Sequence, residues 1–183
     1  MSTTRSEGSS PKSLLEYLDL SQSNCLNEVE SHSIKGLFPG KTRNTTGSYL
    51  LSDSDEQLLL NIYFNQAVRV KSLVLHTADS QEGPKGPKLI KLLVNRPAIG
   101  FEDVEDAAEP EATQILEVSE ETVKEGSPID LRFVRFQSVT SLHIFVSSNH
   151  DGGETTRIDA IDILGFPSGV TKDLSELKKH QDD

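Results

Sequence analysis

The stretch LLLNIYFNQAVRVKSLVLHT, Leu58–Thr77, decides the fold because its apolar residues follow the two-residue period of a β-strand. Four apolar side chains fall on one face of its first half, which is predicted to be well buried: Leu58, Leu60, Ile62 and Phe64. The second half, VRVKSLVLHT at 68–77, is a separate run of strand type, and its alternation changes phase at Lys71 and Ser72. Such a change predicts either a β-bulge or a strand that is covered on both faces.

Five further runs of strand type follow, and turns rich in Gly and Pro separate them. They are LIKLLVN at 89–95, QILEV at 114–118, RFVRF at 132–136, SLHIFVSS at 141–148 and TRIDAIDILGF at 156–166. In the last run, Ile161 and Ile163 are predicted on one face and Ile158 and Ala160 on the other. Seven or more strands with almost no helix between them predict an all-β fold. An antiparallel β-sandwich of the jelly-roll kind is favoured over a parallel α/β sheet.

Polar segments flank this region. Residues 1–12 have the composition of a flexible linker or leader, residues 13–170 are predicted to form one domain, and residues 171–183 to be a mobile tail. Within the domain, SLLEYLDL at 13–20 predicts a short helix that Ser13 caps.

The net charge of −11 and the single cysteine narrow the classes of function. An acidic chain is a poor ligand for nucleic acid, because that binding depends on Lys and Arg releasing counterions from phosphates. One cysteine forms neither an internal disulfide nor a Cys-x-x-Cys pair. The sequence shows no apolar signal core and no apolar run of about 18 residues, which indicates a cytoplasmic and nuclear protein that binds no membrane. The sequon at Asn44 is then interpreted as a chance match.

Two Gly-Pro-Lys steps, at 83–88, precede the run at 89–95. Prolines that fix φ and glycines that allow a tight reversal predict a strand-entry turn. The alternative is that Lys85 and Lys88 are displayed on a rigid loop to meet an acidic partner. Asn95 and Arg96 close the same strand, so the four residues mark either one patch or the two ends of one β segment.

The sequence contains no recognisable catalytic or metal-binding motif. No Gly-x-Ser-x-Gly elbow occurs, and Cys25 is interpreted as a buried packing residue. The five histidines lack the spacing of zinc ligands, and His76 and His143 are predicted to be hydrogen-bonded members of strands. Arg157 is expected to fix its loop through a bidentate pair with a carboxylate, a structural role preferred to partner contact. We therefore expect no enzyme activity, no metal and no cofactor.

Several motifs, in order, resemble the PITH domain, the proteasome-interacting domain found with thioredoxin domains. They are CLNE at Cys25, SDSDEQLLL at Ser52, FNQAVRVKSL at Phe64, GPKLIKLLVNRP at Gly86, RFVRFQSVTSLHIFVSSN at Arg132 and ETTRIDAIDILGFP at Glu154. The resemblance covers roughly residues 14–170. It implies a galactose-binding-like jelly roll and docking on the regulatory particle of the proteasome. In a full-length relative, such a domain would bring a thioredoxin domain to the proteasome.

The expected function is therefore that of a monomeric adaptor. Its partner-binding candidates in the domain are Lys85, Lys88, Asn95, Arg96 and Arg157. In the tail, Leu174 and Leu177 share one helical face, and the candidates Lys178, Lys179 and His180 follow them. Two alternatives stay open: a ligand-binding module of the glycan type, and a stand-alone regulatory interaction protein.

Overall fold

The computed structural model describes residues 10–168 of the chain. Ten strands are named in chain order: β1 Lys12–Ser13, β2 Asn24–Leu26, β3 Leu50–Leu51, β4 Leu58–His76, β5 Pro87–Val94, β6 Gln114–Glu117, β7 Ile129–Asp130, β8 Val139–Asn149, β9 Arg157–Ile158 and β10 Ala160–Pro167. Two α-helices, α1 Phe101–Val104 and α2 Glu120–Glu125, are short. Four 3₁₀ segments complete the elements: Leu15–Tyr17, Ile34–Leu37, Pro39–Lys41 and Phe133–Arg135.

Strand β4 belongs to both layers of an antiparallel sandwich. Its first half pairs with β8 through Leu58–Tyr63 and with β2 on the other side. Its second half pairs with β10 through Val68–His76 and with β7. The first layer therefore has the order β2, β4, β8, β5, β6, and the second layer has the order β1, β10, β4, β7.

The main core lies between these layers and contains buried aliphatic side chains from both. From the first layer it takes Leu58, Leu60, Ile62, Ile90, Leu92, Leu142, Ile144 and Val146, and from the second Val68, Val70, Leu73, Leu75, Ile161 and Ile163. A smaller cluster on the outer face of the first layer joins Leu59 and Phe145 to Val104 of α1. The first half of β4 is thus buried on both faces, whereas the sequence indicated one.

The predicted change of phase in β4 corresponds to a bulge. Leu164 pairs with Ser72 and Gly165 pairs with Val70, so Lys71 has no partner in β10. Beyond the bulge, Ser72 and Val74 are also buried, which means that this part of the strand is covered on both faces as well.

Three local predictions differ from the structure. RFVRF is not a strand, because Phe133–Arg135 form a 3₁₀ turn in which Val134 is 83% exposed, and Phe136 alone enters the core. TRIDAIDILGF is broken at Asp159 into two strands, so Ile158 joins the same core as Ile161 and Ile163. Only Leu15–Tyr17 of the predicted N-terminal helix are helical, and Ser13 lies in β1.

The bend of β4 gives the sandwich two distinct ends. Leu58 and His76, the two ends of the strand, both lie near β9: the Thr156 hydroxyl donates to the Glu56 carbonyl at 2.6 Å, and the Thr77 hydroxyl donates to the Arg157 carbonyl at 2.6 Å. We name this the loop end. The opposite side, where β4 bends at 64–67, is named the bend end.

Candidate functional site

The loop end is built around Arg157 in β9. Its Nε and Nη2 donate to the two carboxylate oxygens of Asp159 at 2.9 and 2.8 Å. The bidentate pair raises the pKa of Arg157, although partial burial opposes the shift. The pair predicted from the sequence is therefore confirmed, and it fixes the position of β9.

Tyr49 lies between Arg157 and His32. The guanidinium carbon of Arg157 is 3.7 Å from the centroid of the Tyr49 ring, and the His32 ring stacks on Tyr49 at 4.1 Å with an interplanar angle of 14°. Two groups so close to one ring must occupy its opposite faces. Tyr49 consequently has no free face on which a sugar could stack.

The basic turn enters the loop end beside β9. The carbonyl of Lys85 accepts a hydrogen bond from the Arg157 amide at 3.0 Å, and the Lys85 ammonium donates to the Ser80 carbonyl. A Cβ on Gly86 would lie 2.4 Å from Val123 Cγ1, so the turn requires glycine at this position. Lys88 is exposed at the start of β5. The strand-entry turn is confirmed, and it brings Lys85, Lys88 and Arg157 to the same end.

Asn95 and Arg96 lie at the bend end, at the far end of β5. Asn95 has a φ of 60°, its Oδ1 accepts from the Thr140 amide at 2.7 Å, and its Nδ2 donates to the Ser138 carbonyl at 2.9 Å. These contacts tie the end of β5 to the start of β8. The four candidates therefore mark the two ends of one β segment and form no single patch.

His143 sits inside the first layer near the bend end and is fully buried. Its Nδ1 donates to Asn61 Oδ1 at 2.7 Å, and its Nε2 accepts from Ser141 Oγ at 3.0 Å and from the Arg96 amide at 3.3 Å. Burial lowers its pKa to about 4, and the positive charge of Arg96 acts in the same direction. As predicted, His143 is a hydrogen-bonded member of a strand.

The single cysteine and the possible metal ligands were compared with what a reactive thiol or a metal site requires. Cys25 is buried, and burial raises the pKa of its thiol well above the ordinary value, with a further contribution from the Glu28 carboxylate. Within residues 10–168, no group of three or more His, Cys, Asp or Glu side chains is placed to hold a metal ion. In the same part of the chain, no helix is long and apolar enough to cross a membrane.

Folding makes the Asn44 sequon inaccessible. The Asn44 side chain is buried, and its Nδ2 donates to the carbonyls of Ser48 and Asp159 at 2.7 and 2.8 Å. An amide nitrogen with both hydrogens engaged in this way is not available for glycosylation in the folded state.

Sequence reasoning named Arg157 but missed Tyr49, His32 and Asp159. The spacing of Arg157 and Asp159 carried a signal, since residues two apart in an extended segment share one face. No signal pointed to Tyr49 or His32, because the pairing of β3 with β9 brings Tyr49 to Arg157, and a hydrogen bond from the Leu51 amide to the His32 carbonyl at 3.1 Å holds His32 beside β3. The remaining candidates, Lys178, Lys179 and His180, lie outside the described residues.

A family model for the PITH domain matches residues 4–182. The chain belongs to the PITH domain family. It is 38% identical over 159 residues to thioredoxin-like protein 1 of Schizosaccharomyces pombe, covering 86% of this chain and 52% of that protein. It is also 32% identical to PITH domain-containing protein 1 of Mus musculus, over 90% of this chain and 71% of that protein. The chain thus spans about half of the yeast relative.

Solved structures confirm the architecture of this PITH domain. A family 32 CBM of Clostridium perfringens NanJ in complex with galactose aligns with a TM-score of 0.52 at 9% identity, over 85% of this chain and 98% of that one. An F5/8 type C domain from Bacteroides fragilis aligns with a TM-score of 0.56 at 10% identity, over 86% and 98%. At such identity the likeness shows the galactose-binding-like jelly roll and nothing about ligands.

Proposed function

We propose that this PITH domain is a non-enzymatic, monomeric adaptor that docks on the regulatory particle of the proteasome. The observation that carries the proposal is the family match over residues 4–182, together with the resemblance of the family to proteasome-interacting thioredoxin proteins. The yeast relative is about twice as long as the matched region, which is consistent with a separate thioredoxin domain that the PITH domain would recruit. No cofactor, nucleic acid or membrane takes part in this function.

The loop end is the docking surface that we favour. Its backbone is held by the Arg157–Asp159 pair and by the hydrogen bond between Lys85 and Arg157. Lys88 projects from this rigid support into solvent. A preorganised surface loses little conformational entropy on binding, so a cation at this position contributes to the rate and specificity of association with an acidic subunit surface.

Capture of proteasomes from a cell lysate tests the proposal. The tagged chain is expected to recover regulatory-particle subunits, quantified by mass spectrometry, and Lys88→Glu is expected to lower the recovery by about fivefold or more. The matched control is Lys12→Glu, which changes an exposed cation of β1 away from the loop end. Failure of the unchanged chain to recover any regulatory-particle subunit would remove the proposed function. Equal losses in both variants would remove only the loop end.

The C-terminal tail is tested in the same experiment. A chain that lacks Val170–Asp183 is expected to recover fewer proteasomes if Lys178, Lys179 and His180 contribute to docking. Unchanged recovery would exclude a role for the tail and leave the domain surface as the docking element.

A second candidate, glycan binding, is favoured by the fold alone, since one structural neighbour is a complex with galactose. The cover on both faces of Tyr49 argues against it, and the chain has no Trp. Near Asn95, the hydroxyl of Tyr63 already donates to the Pro97 carbonyl at 2.7 Å. Binding of the purified domain to galactose-terminated glycans on an array would establish this function in place of the adaptor.

A further inference from the structure

An aromatic surface carrying positive charge lies on the outer face of the second layer, remote from the loop end. Phe166 of β10 and Phe133 of the 3₁₀ turn approach each other with ring centroids 6.0 Å apart. The guanidinium of Arg69 lies 5.1 Å from the centroid of Phe166, and the ammonium of Lys71 lies 5.7 Å from that of Phe133. Val134, 83% exposed, is adjacent to Phe133. We name these five residues the basic aromatic patch.

The exposure of Val134 is unusual in this chain. Among residues 10–168, it is the one large hydrophobic residue that is exposed. It stands at the apex of a 3₁₀ turn whose following residue, Phe136, is anchored in the core. A single exposed apolar residue needs no explanation by itself, but an apolar tip beside two half-buried aromatic rings has the form of an anchor point for a partner.

The charges around the patch are opposite to the charge of the whole protein. Arg132 and Arg135 flank Val134, and both donate to Glu109 Oε1 at 3.0 Å. Neither Arg69 nor Lys71 forms an ion pair with any residue between 10 and 168. Four cations, Arg69, Lys71, Arg132 and Arg135, thus lie in or beside the patch, in a chain whose net charge is −11.

The geometry of Arg69 fits it for a carboxylate. Its guanidinium is held over Phe166, and its Nε is buried without a hydrogen-bond partner in the described part of the chain. A planar guanidinium presents its terminal nitrogens as a fork that can bind both oxygens of one carboxylate. Contact with the ring restricts the side chain, so that little side-chain entropy remains to be lost on binding.

We propose that the basic aromatic patch docks an acidic segment of a partner protein that carries at least one large apolar side chain. The apolar side chain packs against Val134 and Phe133, and the carboxylates pair with Arg69 and Lys71. Charge complementarity selects this occupant, because an acidic protein that exposes a local cluster of cations attracts negative segments there. A polyphosphate is disfavoured by the net charge of the whole chain. The proposal concerns a different surface from the proposed proteasome contact and stands independently of it.

Fluorescence anisotropy with a defined peptide tests the patch directly. The probe is a fluorescein-labelled decapeptide that contains six carboxylates around a central Leu-Phe pair. The full chain is expected to bind it, with affinity that falls when the salt concentration rises from about 50 to about 300 mM. The double variant R69E/K71E is expected to weaken binding by about tenfold or more, and Val134→Asp by at least about fivefold.

The matched control is K35E/K124E, which makes the same change of charge on two exposed residues outside the basic aromatic patch and is expected to bind the probe like the unchanged chain. A second probe, with Ala in place of Leu-Phe, is expected to bind several-fold more weakly. Equal losses in the two double variants would mean that only net charge matters and would overturn the proposal. No binding by the full chain, with binding restored after removal of residues 169–183, would assign the patch to the chain's own tail and overturn it likewise. Since neither result depends on proteasomes, failure here is distinguishable from failure of the adaptor function.

Discussion

At the scale of single residues, His143 is expected to make the stability of the domain depend on pH. Its pKa in the folded state is about 4, below the ordinary value of 6.5, because the ring is buried and the positive charge of Arg96 lies nearby. Between these values the unfolded chain binds a proton that the folded chain does not. The free energy of unfolding is therefore expected to fall as the pH drops from about 6.5 towards 4, by at most about 3 kcal/mol from this residue.

Urea denaturation followed by circular dichroism at several pH values measures this slope. His143→Gln, which keeps hydrogen-bonding capacity but does not titrate, is expected to be less stable at neutral pH and to lose most of the slope. The range between pH 7.5 and 8 is the internal control, because His143 is almost entirely neutral there in both states. An undiminished slope in the variant would assign the pH dependence to other groups.

Gly165 is the second residue whose replacement is expected to matter. It faces the bulge of β4, and a Cβ built on it would lie 1.9 Å from the backbone oxygen of Arg69. Because backbone must move to relieve such a contact, Gly165→Ala is expected to lower the free energy of unfolding by about 3 kcal/mol or more. Gly152→Ala is the control: its φ is 70° but nothing lies within 4 Å, so a cost of about 1 kcal/mol is expected. Equal midpoints of urea denaturation would contradict the steric argument.

Residue roles were predictable from the sequence where the partner was local. The bidentate partner of Arg157 is two residues away along the chain. The burial of Cys25 follows from the general tendency of free cysteines to be buried. The partners of His143 are not local: Asn61 is 82 residues away and Arg96 is 47 residues away. Only the pairing of β4, β8 and β5 brings these groups together, so no pattern in the sequence identified them.

At the scale of elements, Lys91 holds the segment that follows β5. It is buried, and its ammonium donates to the carbonyls of Val104, Glu105 and Ala107 at 3.1, 2.7 and 2.8 Å. The last carbonyls of a helix have no partner within the helix, so a cation at the end of α1 satisfies groups that would otherwise be unpaired. The segment covers Leu59 and Phe145, and Lys91 thereby closes the outer face of the first layer.

Lys91→Met is expected to lower the free energy of unfolding by about 3 kcal/mol, because three carbonyls lose a charged donor. Hydrogen exchange measured by mass spectrometry is expected to show amides 101–107 exchanging at least about tenfold faster, which corresponds to about 1.4 kcal/mol of local stability. Lys88→Met, at the exposed start of the same strand, is the control and is expected to change stability by less than about 0.5 kcal/mol. Unaltered exchange in 101–107 would show that the apolar contacts of Val104 hold the segment without the ammonium.

Elements were predictable where the two-residue period ran unbroken, as in β5 and β8. RFVRF failed because the same alternation suits a 3₁₀ turn that inserts one aromatic residue, Phe136, and displays Val134. The misassigned segment supplies Phe133 and Val134 of the basic aromatic patch. Local pattern predicts burial best where a face is continuous, and an exposed apolar residue such as Val134 departs from that pattern.

At the scale of the whole molecule, the β-sandwich was predictable from the sequence, but the continuity of β4 through both layers was not. The sequence gives two apolar runs at 58–64 and 68–77, and the structure joins them into one strand that serves both layers. The joining depends on Phe64–Ala67 crossing the bend end, and nothing in the alternation distinguishes a bend from a turn. The family could be recognised from the order in which the motifs occur, because each motif alone has little specificity.

The double membership of β4 predicts that the two layers unfold together. Leu60 pairs within the first layer and Leu73 within the second, and both are fully buried in the core between them. Leu60→Ala and Leu73→Ala are each expected to lower the free energy of unfolding by about 3 kcal/mol. Because neither layer keeps its central strand when the other opens, each variant is expected to accelerate amide exchange equally in β8 and in β10. Hydrogen exchange of peptides from these two strands measures the effect, with Ala substituted at exposed Lys88 as the control. Faster exchange confined to β8 in the first variant and to β10 in the second would show that the layers are separate cooperative units despite their shared strand.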